Sequence, residues 1–228
     1  MTATDEILAL AASAGLAITV TEADVAAFRA AAARGAGRPA VRALLAIRPA
    51  VAPSGQDAAH PPAPSSGDPA WTAWLTAAAA ASGESDVRPV WCAVFGAAVG
   101  LTDPPGSAPP AVAVTSAIAA GLGAAGIVES GLDDWGGWSS GTVAAAIGAG
   151  VTAGLLLGLA EPRLRAAIGI CATQAAGLRA AEGTDAFAVQ VGKAAFNGVE
   201  AALLARAGLT APAEPLDGRR GLFALFGA

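Results

Sequence analysis

The sequence predicts an all-α protein, and three observations carry that prediction. Apolar residues recur at helical spacing, as at Leu164, Ala167, Ile168 and Cys171, and no stretch alternates polar and apolar residues as a half-buried strand would. Pro, Gly, Ser, Thr and Asp punctuate the chain where helices would start and stop. Hydrophobic residues make up 54% of the 228, yet aromatics only 5% and Tyr is absent, so Ala and Gly dominate and the helices must approach closely.

A helix is expected from Asp5 to Gly15, and Thr21 caps a second, EADVAAFRAAAARGAG, whose acidic start and Arg34-Gly35 end suit the helix dipole. A third begins at Pro39, with Val41, Leu44, Leu45 and Ile47 expected on its inner face and Arg42 and Arg48 outside. Residues 1–48 read as an N-terminal helical appendage. Residues 49–70 are rich in Pro, Ser, Gly, Ala and Asp and read as a linker, because that composition buries too little apolar area to order itself.

Residues 71–228 form the expected main domain. Helices are predicted over Trp71–Ala81, Val90–Leu101 and Ala111–Val128, divided by SGESDVRP and by TDPPGSAPP, whose prolines no helix crosses. An acidic Gly- and Trp-rich loop, Glu129–Ser140, then feeds the uncharged run Val143–Ala160. Glu161-Pro162 restarts a helix whose face is Leu164, Ala167, Ile168, Cys171, Ala175 and Leu178, leaving Arg163, Arg165 and Arg179 off the core. Thr184 caps a last long helix that runs to Ala207 with Gly208 past its end, and Leu216–Ala228 is a short tail.

Both Ala111–Val128 and Val143–Ala160 come near the roughly 20 apolar residues that cross a bilayer. Their flanks show no excess of Lys and Arg on one side, and Trp135 and Trp138 sit at a single end, so a buried central helix is expected and a membrane is not. A net charge of −5 with scattered basic residues excludes a phosphate-backbone footprint, hence no nucleic acid. Cys92 and Cys171 are isolated among apolar residues and read as buried free thiols, and the N-terminus lacks a basic leader, so a cytoplasmic location is expected. No metal is expected from these cysteines, and the single histidine, His60, reads as a solvated linker residue.

Two places can carry chemistry. Gln190, Lys193, Asn197 and Glu200 fall three, four and three apart, which puts them on one stripe of a helix. That stripe is either a solvated face or, through the chain's only lysine, a cationic wall for a carboxylate with Asn197 as hydrogen-bond partner. The loop Gly136–Thr142 offers hydroxyls and backbone N–H groups at a helix start; Ser140 or Thr142 is either its N-cap or part of an anion site. Asp133 and Asp134 are adjacent and point apart, which suits a solvated loop better than an acid/base dyad. Arg219 and Arg220 are either a carboxylate clamp or tail charges.

The succession SSGTVAAAIGAGVTAGLLLGL, LRAAIGICATQAAGL, VGKAAFNGVEAALLARAGLTAP and LDGRRGLFALFG resembles the MmgE/PrpD family, which includes 2-methylcitrate dehydratase and cis-aconitate decarboxylase. The likeness is good from Gly136 to Gly227, faint from Val90 to Val128, and not evident over the first seventy residues. It implies a large helical domain ordinarily followed by a smaller α/β lid; LDGRRGLFALFG matches the end of the helical part, so the helical domain without its lid is expected. It also implies chemistry at a proton alpha to a carboxylate, of a hydro-lyase, decarboxylase or isomerase type, without metal or other cofactor.

Where the family carries G-F-H-x-T-G-T, this chain has GGWSSGT, with Trp138 or Ser139 in the histidine's place and Thr142 kept. The family's K-R-L-H-x-G falls on Phe187, Ala188, Val189, Gln190, Val191 and Gly192, so that lysine and histidine are both replaced, and its aspartate-rich loop is met at best by Asp103. The resemblance thus points to a divergent lyase- or isomerase-type protein that binds a small carboxylic acid through Trp138, Ser140, Thr142, Gln190 and Asn197, with Lys193 and Ser139 as catalytic candidates. The alternative is a catalytically inactive partner or scaffold subunit, as a homodimer or paired with a full-length family member. A bundle of small-residue membrane helices, suggested by Gly150, Gly154 and Gly158, is a third reading.

Overall fold

Helix boundaries fall where local chemistry places them. In the computed structural model, which describes residues 1–13, 17–51, 68–83, 88–102, 109–132 and 136–226, Thr2 and Asp5 form a reciprocal capping box that opens α1, Ala3–Ala12. Thr21 and Asp24 do the same for α2, Glu22–Gly35. Then follow α3 (Pro39–Val51), α4 (Pro69–Gly83), α5 (Pro89–Thr102), α6 (Ala111–Ser130), α7 (Ser140–Leu156), α8 (Glu161–Gln174), a single 3-10 turn (Arg179–Ala181), α9 (Asp185–Ala207) and α10 (Leu222–Phe226). Among the described residues there is no strand, only an isolated antiparallel bridge between Trp138 and Leu178. The all-α expectation therefore holds. Most of the expected linker, including His60, lies outside the described residues, as do Asp103, Asp133, Asp134 and Trp135.

Around α7 the body is assembled. Every residue from Thr142 to Gly154 is buried, because α5, α6, α8 and α9 all pack on this helix. The apolar run is thus the central helix, and it ends at Leu156 instead of Ala160 because the chain turns through Leu157 and Gly158. Small residues set the spacing: a Cβ on Gly198 of α9 would stand 2.5 Å from the Ala149 Cβ and 2.6 Å from the backbone N of Gly150 on α7. Among the described residues α6 is the one helix long and apolar enough to cross a membrane. Here it lays Ile118, Ala124, Ala125 and Val128 against its neighbours and leaves Val112 exposed.

Several expectations change in the fold. Residues 1–48, read as an appendage, contribute to the same cores as the rest: Ile7 and Leu8 pack with Ala124, Val151 and Ile168, and Phe28 packs with Val94, Phe95 and Val99. Among the described side chains of α3, Ala40, Val41 and Leu44 are buried, whereas Leu45 and Ile47, expected on the inner face, are exposed. Helix α8 stops at Gln174, so Ala175 and Leu178 leave its face, and Leu178 is exposed at the bridge with Trp138. Thr184 precedes α9 without a side-chain cap; its hydroxyl donates instead to the Ala181 carbonyl at 2.6 Å. At the other end Gly208 takes the left-handed conformation, and the Arg163 guanidinium donates to the Ala205 carbonyl at 2.6 Å.

Both cysteines are buried, as expected. Burial pushes the Cys171 thiol up to about 12. At pH 8 an aromatic disulfide reagent should therefore leave Cys171 unmodified in the folded protein and titrate it promptly in denaturant; rapid native-state labelling of Cys171, read by peptide mass, would contradict this burial.

Candidate functional site

The start of α7 is stitched to the segment after α8. Ser139, and neither Ser140 nor Thr142, is the N-cap residue: its carbonyl accepts from Thr142 N at 3.0 Å and Val143 N at 3.1 Å. Its hydroxyl makes no backbone cap but pairs with the Thr142 hydroxyl at 2.8 Å. Ser139 N donates to the Gly177 carbonyl and Arg179 N to the Gly137 carbonyl, each at 3.0 Å, on either side of the Trp138–Leu178 bridge. Close approach at this seam calls for glycine, since a Cβ on Gly177, whose φ is +153°, would lie 2.8 Å from the Thr142 Cβ. From α9, Gln190 locks the seam: its Oε1 accepts from Leu178 N at 2.9 Å and its Nε2 donates to the Thr142 hydroxyl at 3.1 Å.

Beneath the seam lies a cavity of about 400 Å³. The exposed Trp138 and Leu178 line it together with Ala146, Ala176 and Gly177, and Gln190, Lys193, Ala194 and Asn197 form its α9 side. The Lys193 ammonium sits 3.7 Å from the centre of the Phe196 ring and 5.1 Å from that of Trp74. Trp74 is itself held by a 3.2 Å bond from its indole N–H to the Val189 carbonyl. Burial pulls the Lys193 pKa below the ordinary lysine value, with the charge of Glu200 opposing the shift. Among the described residues no carboxylate forms an ion pair with Lys193. Asn197 is 8% exposed and donates through Nδ2 to the Gln174 carbonyl at 3.0 Å, which leaves its Oδ1 and second N–H for other partners.

The structure brings together Trp138, Gln190, Lys193 and Asn197 and separates them from the other candidates. Thr142 is buried one hydrogen bond behind the lining, through Gln190, and Ser139 is buried one bond further, through Thr142. Ser140 is exposed and outside the cavity, because the N-cap one residue earlier turns it to the surface. Glu200, a further step along the stripe, is outside the lining, and Arg219 and Arg220 are exposed and also outside it. Sequence reasoning missed Leu178 as a rim residue and the two rings beneath Lys193. Phe196 stands three residues from Lys193 and was within reach of a helical-spacing argument; Trp74 comes from α4 and was not.

Chemically the cavity offers one cation and the unspent Oδ1 and N–H of Asn197 within apolar walls, the Gln190 amide being held by Leu178 and Thr142. It presents no His, Asp or Glu among the described lining residues. Gln190, and Trp138 of the Trp138–Ser139 pair that the resemblance sets against the other histidine, both line this cavity.

Curated proteins compared with the chain give no match. The family model of the MmgE/PrpD N-terminal domain, by contrast, matches residues 17–228, and so extends far ahead of Gly136 into the first seventy residues where no likeness was evident. With a matched span that covers α2 through α10 and a fold built of helices, the chain belongs to the MmgE/PrpD family through its N-terminal domain.

Proposed function

We propose that this chain is a divergent MmgE/PrpD-family protein that binds a small carboxylic acid in the Lys193 cavity, and that the base for lyase- or isomerase-type chemistry comes from another polypeptide. The observation that carries this reading is a lysine with no carboxylate partner among the described residues, set in the wall of a 400 Å³ cavity between two amides. A carboxylate placed against Lys193 gains a charge-assisted pair in a partly desolvated site, where such pairs are strongest. Moving a proton alpha to that carboxylate needs a base within hydrogen-bond reach, and the described lining supplies none.

Removal of the ammonium in Lys193→Ala should weaken carboxylate binding roughly 10- to 100-fold, the loss typical of a hydrogen bond to a charged group. Thermal stabilisation by methylcitrate-like, aconitate-like and simpler carboxylates, measured on wild type and variant, tests it; stabilisation that persists in Lys193→Ala would refute the assignment. A pH series adds a sign. The folded-state pKa of Lys193 is lowered, so the unliganded fold gains stability as pH rises from that lowered value to the ordinary lysine range. Carboxylate binding needs the ammonium and must fall over the same window, earlier than for an exposed lysine.

The noncatalytic-subunit reading is favoured by one feature, the exposed rim, where Trp138 is 41% and Leu178 53% exposed. Assays of the chain alone and mixed with a full-length family member separate the readings. Turnover by the chain alone would overturn the need for an external base. Activity in the mixture that is indifferent to Lys193→Ala would assign the chain a scaffold role.

A further inference from the structure

The ligand's charge and shape are constrained more tightly than the family likeness alone constrains them. Lys193 is the single cationic side chain in the described lining, which holds no Arg and no His. Its ammonium is already covered by two rings, at 3.7 Å from the Phe196 centre and 5.1 Å from that of Trp74, so the part left for a ligand is restricted. Gln190 spends its Oε1 on Leu178 N and its amide nitrogen on Thr142 and the Leu178 carbonyl, and Asn197 spends an N–H on Gln174. The remainder of the wall, Trp138, Ala146, Ala176, Leu178 and Ala194, is apolar.

From this juxtaposition of one cation with an otherwise apolar wall we infer that the cavity selects a monocarboxylate carrying an apolar body, and discriminates against di- and tricarboxylates. The inference rests on the carboxylate-binding reading above and names the substrate class of that site. One ammonium neutralises one carboxylate. A second carboxylate carried into the cavity gives up its water and meets no cation among the lining residues, a penalty that a single pair cannot offset. An alkyl or aryl body, in contrast, replaces water against Ala146, Ala176 and Ala194 and against the indole of Trp138, and the volume of about 400 Å³ lies in the range of small-molecule pockets.

Calorimetric titration of the full chain at pH 7 with four probes tests this: hexanoate, phenylacetate, acetate, and propane-1,2,3-tricarboxylate. Hexanoate and phenylacetate should bind at least tenfold more tightly than acetate, which lacks the body, and than the tricarboxylate, which carries surplus charge. Both should lose at least tenfold in Lys193→Met and in Lys193→Gln, the second variant guarding against a folding defect in the first. Tricarboxylate binding as tight as that of hexanoate overturns the selectivity while leaving the carboxylate site intact. Equal affinity for acetate and hexanoate removes the apolar body from the inference. Binding by none of the four, or binding unchanged in both lysine variants, overturns the carboxylate site and this inference with it.

Discussion

Gly198→Val should cost about 3 kcal/mol or more, at or beyond the upper end of ordinary overpacking penalties. The reason is geometric. A Cβ at Gly198 would meet Ala149 Cβ at 2.5 Å, Gly150 N at 2.6 Å and Ala149 C at 2.7 Å, and two of those three atoms are backbone of the central helix. Flexible side chains can swing aside, but α7 is enclosed by α5, α6, α8 and α9 and cannot retreat from α9 without opening a gap elsewhere. The melting temperature should fall by roughly 10 °C for a chain of this size. Gly126→Ala is the matched control: nothing lies within 4 Å of a Cβ there, and an exposed interior helix position should gain about 0.5–1 kcal/mol. If calorimetry finds the two variants equally stable, the close α7–α9 crossing is wrong.

Phe28→Ala carries the second large effect, about 3–5 kcal/mol, the cost of emptying a buried aromatic site. Phe28 is fully buried and meets the Trp91 ring edge-on at 5.4 Å between centres and the Phe95 ring at 5.7 Å. It belongs to α2, and its partners belong to α5, so the loss should appear as a shift of one cooperative unfolding transition. A separate early transition, with the main one unmoved, would restore residues 1–48 to the status of an appendage. The same variant tests what the family match adds, because that match begins at residue 17 and takes in the whole of α2.

Much of the secondary structure was legible because it is written locally. Thr21 with Asp24, Pro162 in the first turn of α8, and Gly208 behind α9 act through atoms three or four residues away, so spacing alone reveals them. The apolar run after Ser139 was legible as a central helix for a related reason: uncharged on every side, it needs cover on every side. Boundaries set by the chain's path were not legible. Helix α8 ends before Ala175 so that Gly177 and Leu178 can pair with the Gly137–Ser139 segment, and that pairing joins residues about forty positions apart. The packing of residues 1–48 was not legible either, since nothing within them says that Phe28 meets two rings of another helix.

For the candidate site the division is the same. The stripe of Gln190, Lys193 and Asn197 could be read from spacing, because residues three and four apart on a helix must share a face. The family resemblance also implied that other residues fill the histidine positions. The direction of that stripe, toward a cavity shared with Trp138, comes from the packing of the helices, as do the exposure of Ser140 and the place of Thr142 behind Gln190. Helical periodicity gives the relative direction of side chains on one helix. The absolute direction depends on how the helix is rotated against its neighbours, and that rotation is fixed here by small-residue packing of α9 on α4 and α7.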